Sequence, residues 1–149
     1  MDNKLVQIKN LKTYFYTDAG TAKAVNDVSF DIMKGEVLGI VGESGSGKSV
    51  TSLSINRLIP NPPGKIVGGQ ILYDNKDLLQ LSYEEIRDIR GKDIAMIFQE
   101  PMTSLNPVLT IGYQMNEVLI KHEKITKLEA TERSIEMLNA VGIPSPRER

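Results

Sequence analysis

The chain has 149 residues, with 18 Lys or Arg against 19 Asp or Glu and a net charge of −1. With no basic block in the sequence, this balance argues against nucleic acid as the main partner. At 40% hydrophobic and 25% charged residues the make-up is that of an ordinary soluble globular protein, and the length suits one domain. No cysteine is present, so there is no disulfide framework; this is compatible with the cytosol. The apolar runs Val37–Val41 and Ile94–Phe98 are far short of a membrane span, and Met1-Asp2-Asn3-Lys4 lacks a signal-peptide core. Any link to a membrane is therefore expected to run through a protein partner.

Up to about Val41 the sequence reads as β-rich. Leu5-Val6-Gln7-Ile8 and Val28-Ser29-Phe30-Asp31-Ile32 alternate apolar and polar residues, as half-buried strands do. Between them come Leu11–Tyr16 and a polar tip, Thr17-Asp18-Ala19-Gly20. The three consecutive aromatics Tyr14, Phe15 and Tyr16 have two readings, packing within a strand or offering a face to a base. Met33-Lys34-Gly35-Glu36 is a turn that feeds the apolar run Val37-Leu38-Gly39-Ile40-Val41, read as a strand.

Directly after that run, Gly42-Glu43-Ser44-Gly45-Ser46-Gly47-Lys48-Ser49 meets G-x-x-x-x-G-K-[ST] at every fixed position, and Val50–Ile55 reads as a helix. Gly42, Gly45 and Gly47 free the backbone to turn its N–H groups inward around a phosphate. The first helical turn adds unpaired N–H donors and the positive end of the helix dipole. Lys48 would reach the β- and γ-phosphates, and the Ser49 hydroxyl would ligate Mg²⁺. A featureless Gly/Ser-rich loop is the alternative, and it has no need of a lysine at that spacing.

The helix is expected to run to about Leu58 and to stop at Pro60-Asn61-Pro62-Pro63-Gly64. Gly68–Asn75 reads as a short strand and turn. Ser82-Tyr83-Glu84-Glu85 has the capping-box form, and Gly91 closes the helix it starts. Ile94-Ala95-Met96-Ile97-Phe98 is short and wholly apolar, as expected for a strand buried on both faces of a parallel sheet. The remainder is helical: Ile111, Met115, Val118 and Leu119 share one face. Thr126-Lys127-Leu128-Glu129 caps a second helix that presents Leu128, Ile135 and Leu138, and Gly142 and Pro144 stop it. No internal repeat is apparent.

A phosphate-loop NTPase needs an acidic Mg²⁺ partner at the end of a second strand. Here the apolar strand ends in Gln99-Glu100-Pro101. Glu100 could serve as that partner or as a base, and Gln99 could instead orient water. Residue chemistry alone leaves both open, along with a plain solvent-facing loop.

Val41–Ser49, together with Met96-Ile97-Phe98-Gln99-Glu100-Pro101-Met102-Thr103-Ser104-Leu105-Asn106-Pro107, resembles an ABC transporter ATP-binding subunit, and within that family the oligopeptide/dipeptide importer branch. The resemblance runs from Leu5 to Pro144 in consistent order. It implies an α/β P-loop NTPase (RecA-like) fold, the N-terminal portion of an ABC nucleotide-binding domain. Residues of about 1–98 would form a β-rich subdomain with the P-loop core, and about 99–149 the Q-loop and the start of the helical subdomain. The cofactors implied are ATP and Mg²⁺, with Gly42, Ser44, Gly45, Ser46, Gly47, Lys48, Ser49 and Val50 around the phosphates. Lys48 and Gln99 take the catalytic roles, and Ser49 and Gln99 the metal. Gln99 matches the Q-loop glutamine, which contacts Mg²⁺ and the attacking water and relays nucleotide state. Phe15 matches best the aromatic that stacks on adenine, with Tyr14 and Tyr16 as register rivals. Val50 departs from a common pattern of Thr at that position, although its N–H can still donate.

The family's signature loop, Walker B aspartate, catalytic glutamate and switch histidine match nothing in this sequence. His122, the only histidine, sits mid-helix and reads as a surface residue, and Glu100 aligns beside the Q-loop glutamine rather than with the catalytic base. The sequence therefore looks like the N-terminal part of a longer subunit, one that alone would bind MgATP weakly without turnover. Missing its Walker B neighbour, the P-loop strand would leave an apolar edge. The resemblance further implies transmembrane permease subunits, a second ATP-binding subunit (identical or related) and, indirectly, an extracytoplasmic solute-binding protein. The place implied is the cytoplasmic face of the membrane, and the cargo peptides, with metal ions or opines as rivals. A P-loop kinase or GTPase is disfavoured by the Gln99 motif and by the lack of an N-K-x-D. A catalytically silent nucleotide-binding or interaction module is the remaining alternative.

Overall fold

A computed structural model describes residues 3–100 and 104–148; Pro101-Met102-Thr103 of the Gln99 motif lies outside the described residues, as do Met1, Asp2 and Arg149. The chain divides into two compact units, Met1–Arg87 and Asp88–Arg149.

The first unit is built on an antiparallel hairpin. Strand β1 (Lys4–Thr17) turns at the expected polar tip into β2 (Gly20–Met33), and the Thr17 hydroxyl donates to Gly20 O at 3.0 Å. Strand β3 (Gly64–Tyr73) pairs with the other edge of β1 and β4 (Lys76–Asp77) with β3, giving the order β2-β1-β3-β4. Asp74 and Asn75 make the last turn at positive φ (45° and 63°), which short polar side chains tolerate best after glycine. The β1 ladder is interrupted around Asn10 (φ 49°), whose N–H donates to Ser29 Oγ at 2.7 Å. This irregularity changes which alternate residues face inward. Val6 and Ile8 are buried before it, Leu11 and Thr13 after it. Val25, Ile71, Leu78 and Ile86 complete the core of this unit.

Helix α1 (Lys48–Ile55) follows the glycine loop and stops at Ile55 rather than near Leu58. Asn56 caps it, and Arg57, at φ 51°, turns its guanidinium onto the carbonyl oxygens of Leu78 (3.1 Å) and Leu81 (2.6 Å). Helix α2 (Tyr83–Ile89) has the predicted capping box. Glu85 N–H donates to Ser82 Oγ at 3.2 Å, and Ser82 N–H donates to the Glu85 carboxylate at 2.7 Å.

Two expected strands differ from the sequence reading. Val37–Val41 joins no ladder, and Val37 and Val41 are 99% and 93% exposed. Ile94–Phe98 contributes a single parallel bridge, Arg90 with Ile94, and Ile97 is 97% exposed. Apolar composition supplies the tendency to extend, but a strand also needs partner edges for its N–H and C=O groups. Among the described residues neither run has a ladder to join.

The second unit centres on α3 (Ile111–Glu123) and α4 (Lys127–Ala140), with a 3-10 turn at Pro146–Glu148. Thr110 caps α3 by accepting from Tyr113 N–H at 3.2 Å. Thr126 and Glu129 form the predicted capping box of α4. Of the expected face of α4, Ile135 and Leu138 are half-buried, but the most buried positions lie elsewhere. Ala130 and Ser134 are buried, while Leu128 is exposed. The helices meet through Asn116, whose Nδ2 donates to Thr131 Oγ1 (2.9 Å) and whose Oδ1 accepts from Ser134 Oγ (2.8 Å). On α3, Met115 and Leu119 are half-buried, whereas Ile111 and Val118 are exposed. His122 is also placed differently. It lies in the last turn of α3, half-buried, with Nε2 3.6 Å from where a Cβ on Gly91 would stand.

Candidate functional site

The glycine loop runs from Gly42 to the N-terminus of α1, and its shape follows from its residues. Gly45 (φ 80°) and Gly47 (φ 90°) hold conformations that L side chains rarely adopt. Gly47 is the N-cap, and its carbonyl accepts from Thr51 N–H (2.8 Å) and Thr51 Oγ1 (2.9 Å). A Cβ on Gly47 would stand 2.3 Å from Ala24 O, so the loop seats directly against β2. That seat is a bulge. Thr13 pairs with Val25 but Phe15 with Ala22, so Lys23 and Ala24 together oppose Tyr14.

Lys48 folds back across the loop, its Nζ donating to Gly42 O and Glu43 O at 2.7 Å each and to Ser46 Oγ at 3.3 Å. The ammonium is thus held against the loop by two carbonyls and a hydroxyl, all neutral acceptors. A phosphate oxygen could replace any of them with a charged partner and a stronger bond. The first N–H groups of a helix have no carbonyl one turn back. The first turn of α1 carries no acidic residue that would neutralise its positive end. Among the described residues Lys48 contacts no carboxylate, so the loop offers a fixed cation beside the unpaired first N–H groups of α1, which is the chemistry of an anion site.

The other residues singled out in the sequence are placed as follows. Ser44, Ser46 and Ser49 are exposed around the loop, and Val50 is half-buried on α1. The exposed Ser49 hydroxyl in the first turn is chemically suited to share a Mg²⁺ with phosphate oxygens and water. Among the described residues no group of three or more His, Cys, Asp or Glu could hold a metal without such help. Gln99 is exposed and lies in the second compact unit, while the loop belongs to the first.

The three aromatics separate by environment. Tyr14 donates its hydroxyl to Asn26 Oδ1 (2.8 Å), and Lys23 Nζ lies 5.7 Å from the centre of its ring. Tyr16 is exposed. Phe15 is half-buried and bridges both ladders, paired with Ala22 on β2 and Gly64 on β3. A Cβ on Gly64 would come within 2.8 Å of the Phe15 ring, so glycine there leaves room for it.

Sequence reasoning passed over one contributor to the loop's seat, Ala24. Ala24 supplies a carbonyl, which no side-chain pattern announces.

Comparisons with known proteins identify the family. A family model described as ABC transporter matches residues 25–149. The oligopeptide transport ATP-binding protein OppD of Bacillus subtilis is 53% identical over 146 residues, covering 98% of this chain and 41% of that protein. The dipeptide transport ATP-binding protein DppD of the same organism is also 53% identical, with 98% and 44% covered. The chain thus spans less than half the length of these relatives. A dimeric structure of a bacterial ABC transporter cassette superposes with a TM-score of 0.77 at 28% identity, covering 90% of this chain and 56% of that one. The same cassette in a post-hydrolysis state bound to ADP and Pi gives 0.74 at 27% identity. The chain belongs to the ABC transporter family.

Proposed function

We propose that this chain binds MgATP at Gly42–Ser49 and serves as the ATP-binding part of an ABC importer subunit, coupling ATP binding and hydrolysis to uptake of peptides or similar small solutes. The observation that carries the reading is the phosphate loop itself. Gly47 is in the left-handed region at the N-cap of α1, and Lys48 Nζ is drawn over the loop. The peptide cargo is supported by the names of relatives that transport oligopeptides and dipeptides.

In this reading Lys48 pairs with the β- and γ-phosphates, and the backbone from Gly42 to Val50, with Ser44 and Ser46, lines the phosphate chain. Ser49 would ligate Mg²⁺; Gln99, by its match to the Q-loop glutamine alone, would take a share of the metal and orient the attacking water; and Phe15 would stack on the adenine. Mg²⁺, when bound, neutralises charge on the phosphate oxygens. The protein's own residues position the nucleotide, and positioning and electrostatic stabilisation make up most of phosphoryl-transfer catalysis. Residues 1–149 alone bind nucleotide without turnover, because no residue here matches the family's catalytic glutamate or Walker B aspartate. The partners are permease subunits and a second ATP-binding subunit. No helix of the described residues is long and apolar enough to cross a membrane; in this reading the permease subunits hold the chain at one.

Calorimetric titration with MgATP, beside Lys48→Ala, tests the site. A hydrogen bond to a charged group is worth about 1.5–3 kcal/mol, so the variant should bind roughly tenfold more weakly or worse. Equal affinity in the two proteins would remove Lys48 from the site and the reading with it.

A further inference from the structure

Helix α1 is fastened to the sheet at both ends. At its N-terminus Gly47 sits under the Ala24 carbonyl of β2. In its last turn Ser54 Oγ lies 2.9 Å from Thr13 Oγ1 of β1, and both residues are 0% exposed. The protons in this second contact can be assigned. Ser54 Oγ donates to Val50 O, one turn back, at 2.7 Å. Its single proton is then spoken for, so Thr13 must donate to Ser54. A relay runs from Thr13 through Ser54 to the Val50 carbonyl in the first half of α1. Two residues beyond Thr13, on the same face of β1 by strand alternation, stands Phe15. Its ladder with β3 is regular there, Thr13 with Ile66, Tyr14 with Lys65 and Phe15 with Gly64, so the alternation holds.

A helix seated at one point pivots about it, and a second point fixes its angle. We propose that Thr13 and Ser54 are positioning residues that hold Phe15 in register with the phosphate loop, so that the base and the phosphates of one nucleotide are gripped together. This deepens the MgATP reading and rests on it. Removing the Thr13 hydroxyl leaves the Gly47 seat and the Lys48 contacts untouched, so the phosphate cradle keeps its shape. What is lost is the fixed angle between α1, whose first turn forms one wall of that cradle, and the strand that bears the Phe15 ring. The pair thereby favours a nucleotide over a bare polyphosphate.

The test is calorimetric titration of the full 149-residue chain with MgATP and, separately, with magnesium tripolyphosphate, which has no base. Thr13→Val replaces the donor by a methyl of similar size and leaves Ser54 its bond to Val50. It should weaken MgATP by about threefold to tenfold, the span expected for one lost hydrogen bond, and leave tripolyphosphate unchanged. Thr13→Ser should restore the wild-type value. Combined with Phe15→Ala, Thr13→Val should add no further loss for MgATP, because the ring it positions is gone. Equal weakening for both ligands, full additivity with Phe15→Ala, or no change at all would each overturn the proposal. Should Thr13→Val fail to fold by circular dichroism, Ser54→Ala removes the acceptor and carries the same expectation. A wild-type chain that binds neither ligand defeats the nucleotide reading itself, whereas one that binds both equally well defeats only the part played by Phe15.

Discussion

Replacing Gly47 by alanine isolates what the seat against β2 contributes. Two effects act on the new methyl. At φ 90° an L residue is in the left-handed region, which costs about 1–2 kcal/mol. Its Cβ would also stand 2.3 Å from Ala24 O. That oxygen belongs to a strand backbone paired with β1, so it cannot swing aside as a side-chain tip would, and overpacking of this kind costs about 1–3 kcal/mol more. Gly45 is the control. It has a similar φ of 80°, but a Cβ there meets nothing within 4 Å, so Gly45→Ala carries only the backbone strain. Alanine's lower unfolded-state entropy returns about 0.4–1 kcal/mol in both. The expected losses are about 1–4.5 kcal/mol for Gly47→Ala and about 0–1.5 kcal/mol for Gly45→Ala. Against a total of about 5–15 kcal/mol for a typical domain, the first loss is severe. Urea unfolding followed by far-ultraviolet circular dichroism would measure both. Equal destabilisation by the two variants would show that the loop does not rest on Ala24.

Phe15→Ala should weaken MgATP by about 1–3 kcal/mol, the usual worth of stacking a base on an aromatic ring, with Tyr14→Phe and Tyr16→Ala near wild type; a larger loss at Tyr16 would move the base platform by one residue. The Thr126 backbone N–H, then its hydroxyl, hold the Glu129 carboxyl below the ordinary glutamate value, as Ser82 does for Glu85 in the same order. A carboxylate with a depressed folded pKa stabilises above its unfolded pKa, and that stability fades as pH falls through the folded value. Helicity in α2 and α4 should therefore be full at neutral pH and decline in acid. Proton NMR titration should place Glu129 below the ordinary range, with Thr126→Ala moving it part of the way back; no movement would dismiss the hydroxyl's share. Because Val37 and Val41 are almost fully exposed apolar residues, the chain should self-associate, and Val37→Lys with Val41→Lys should raise the monomer fraction in sedimentation velocity. A wild-type chain that already sediments as a clean monomer would count against this.

What the sequence disclosed and what it withheld follow from the range of the interactions involved. Both capping boxes, Ser82 with Glu85 and Thr126 with Glu129, were legible because partners three residues apart meet whenever the helix forms. The turn of the glycine loop into α1 was legible for the same reason, since its glycines and Lys48 act on backbone within a few residues. Val37–Val41 has the composition of a strand, but a ladder is a contract between two segments, and one segment's composition says nothing of the other. The face of α4 was only partly legible: Ile135 and Leu138 are half-buried, but Leu128 is exposed and the centre of the face is small and polar. Ala130 allows close approach and the Asn116, Thr131 and Ser134 groups satisfy one another there. Thr13 and Ser54 belong to this second class. Separated by 41 residues, they look like polar interruptions in apolar stretches until the fold brings them together. A buried hydroxyl is tolerated only where a partner is fixed. Such a pair marks a place where the spacing between two elements is specified more narrowly than hydrophobic packing requires. Here the two elements are the strand that bears Phe15 and the helix that begins at Lys48, and under the proposed function their relative placement is what a bound nucleotide would have to match.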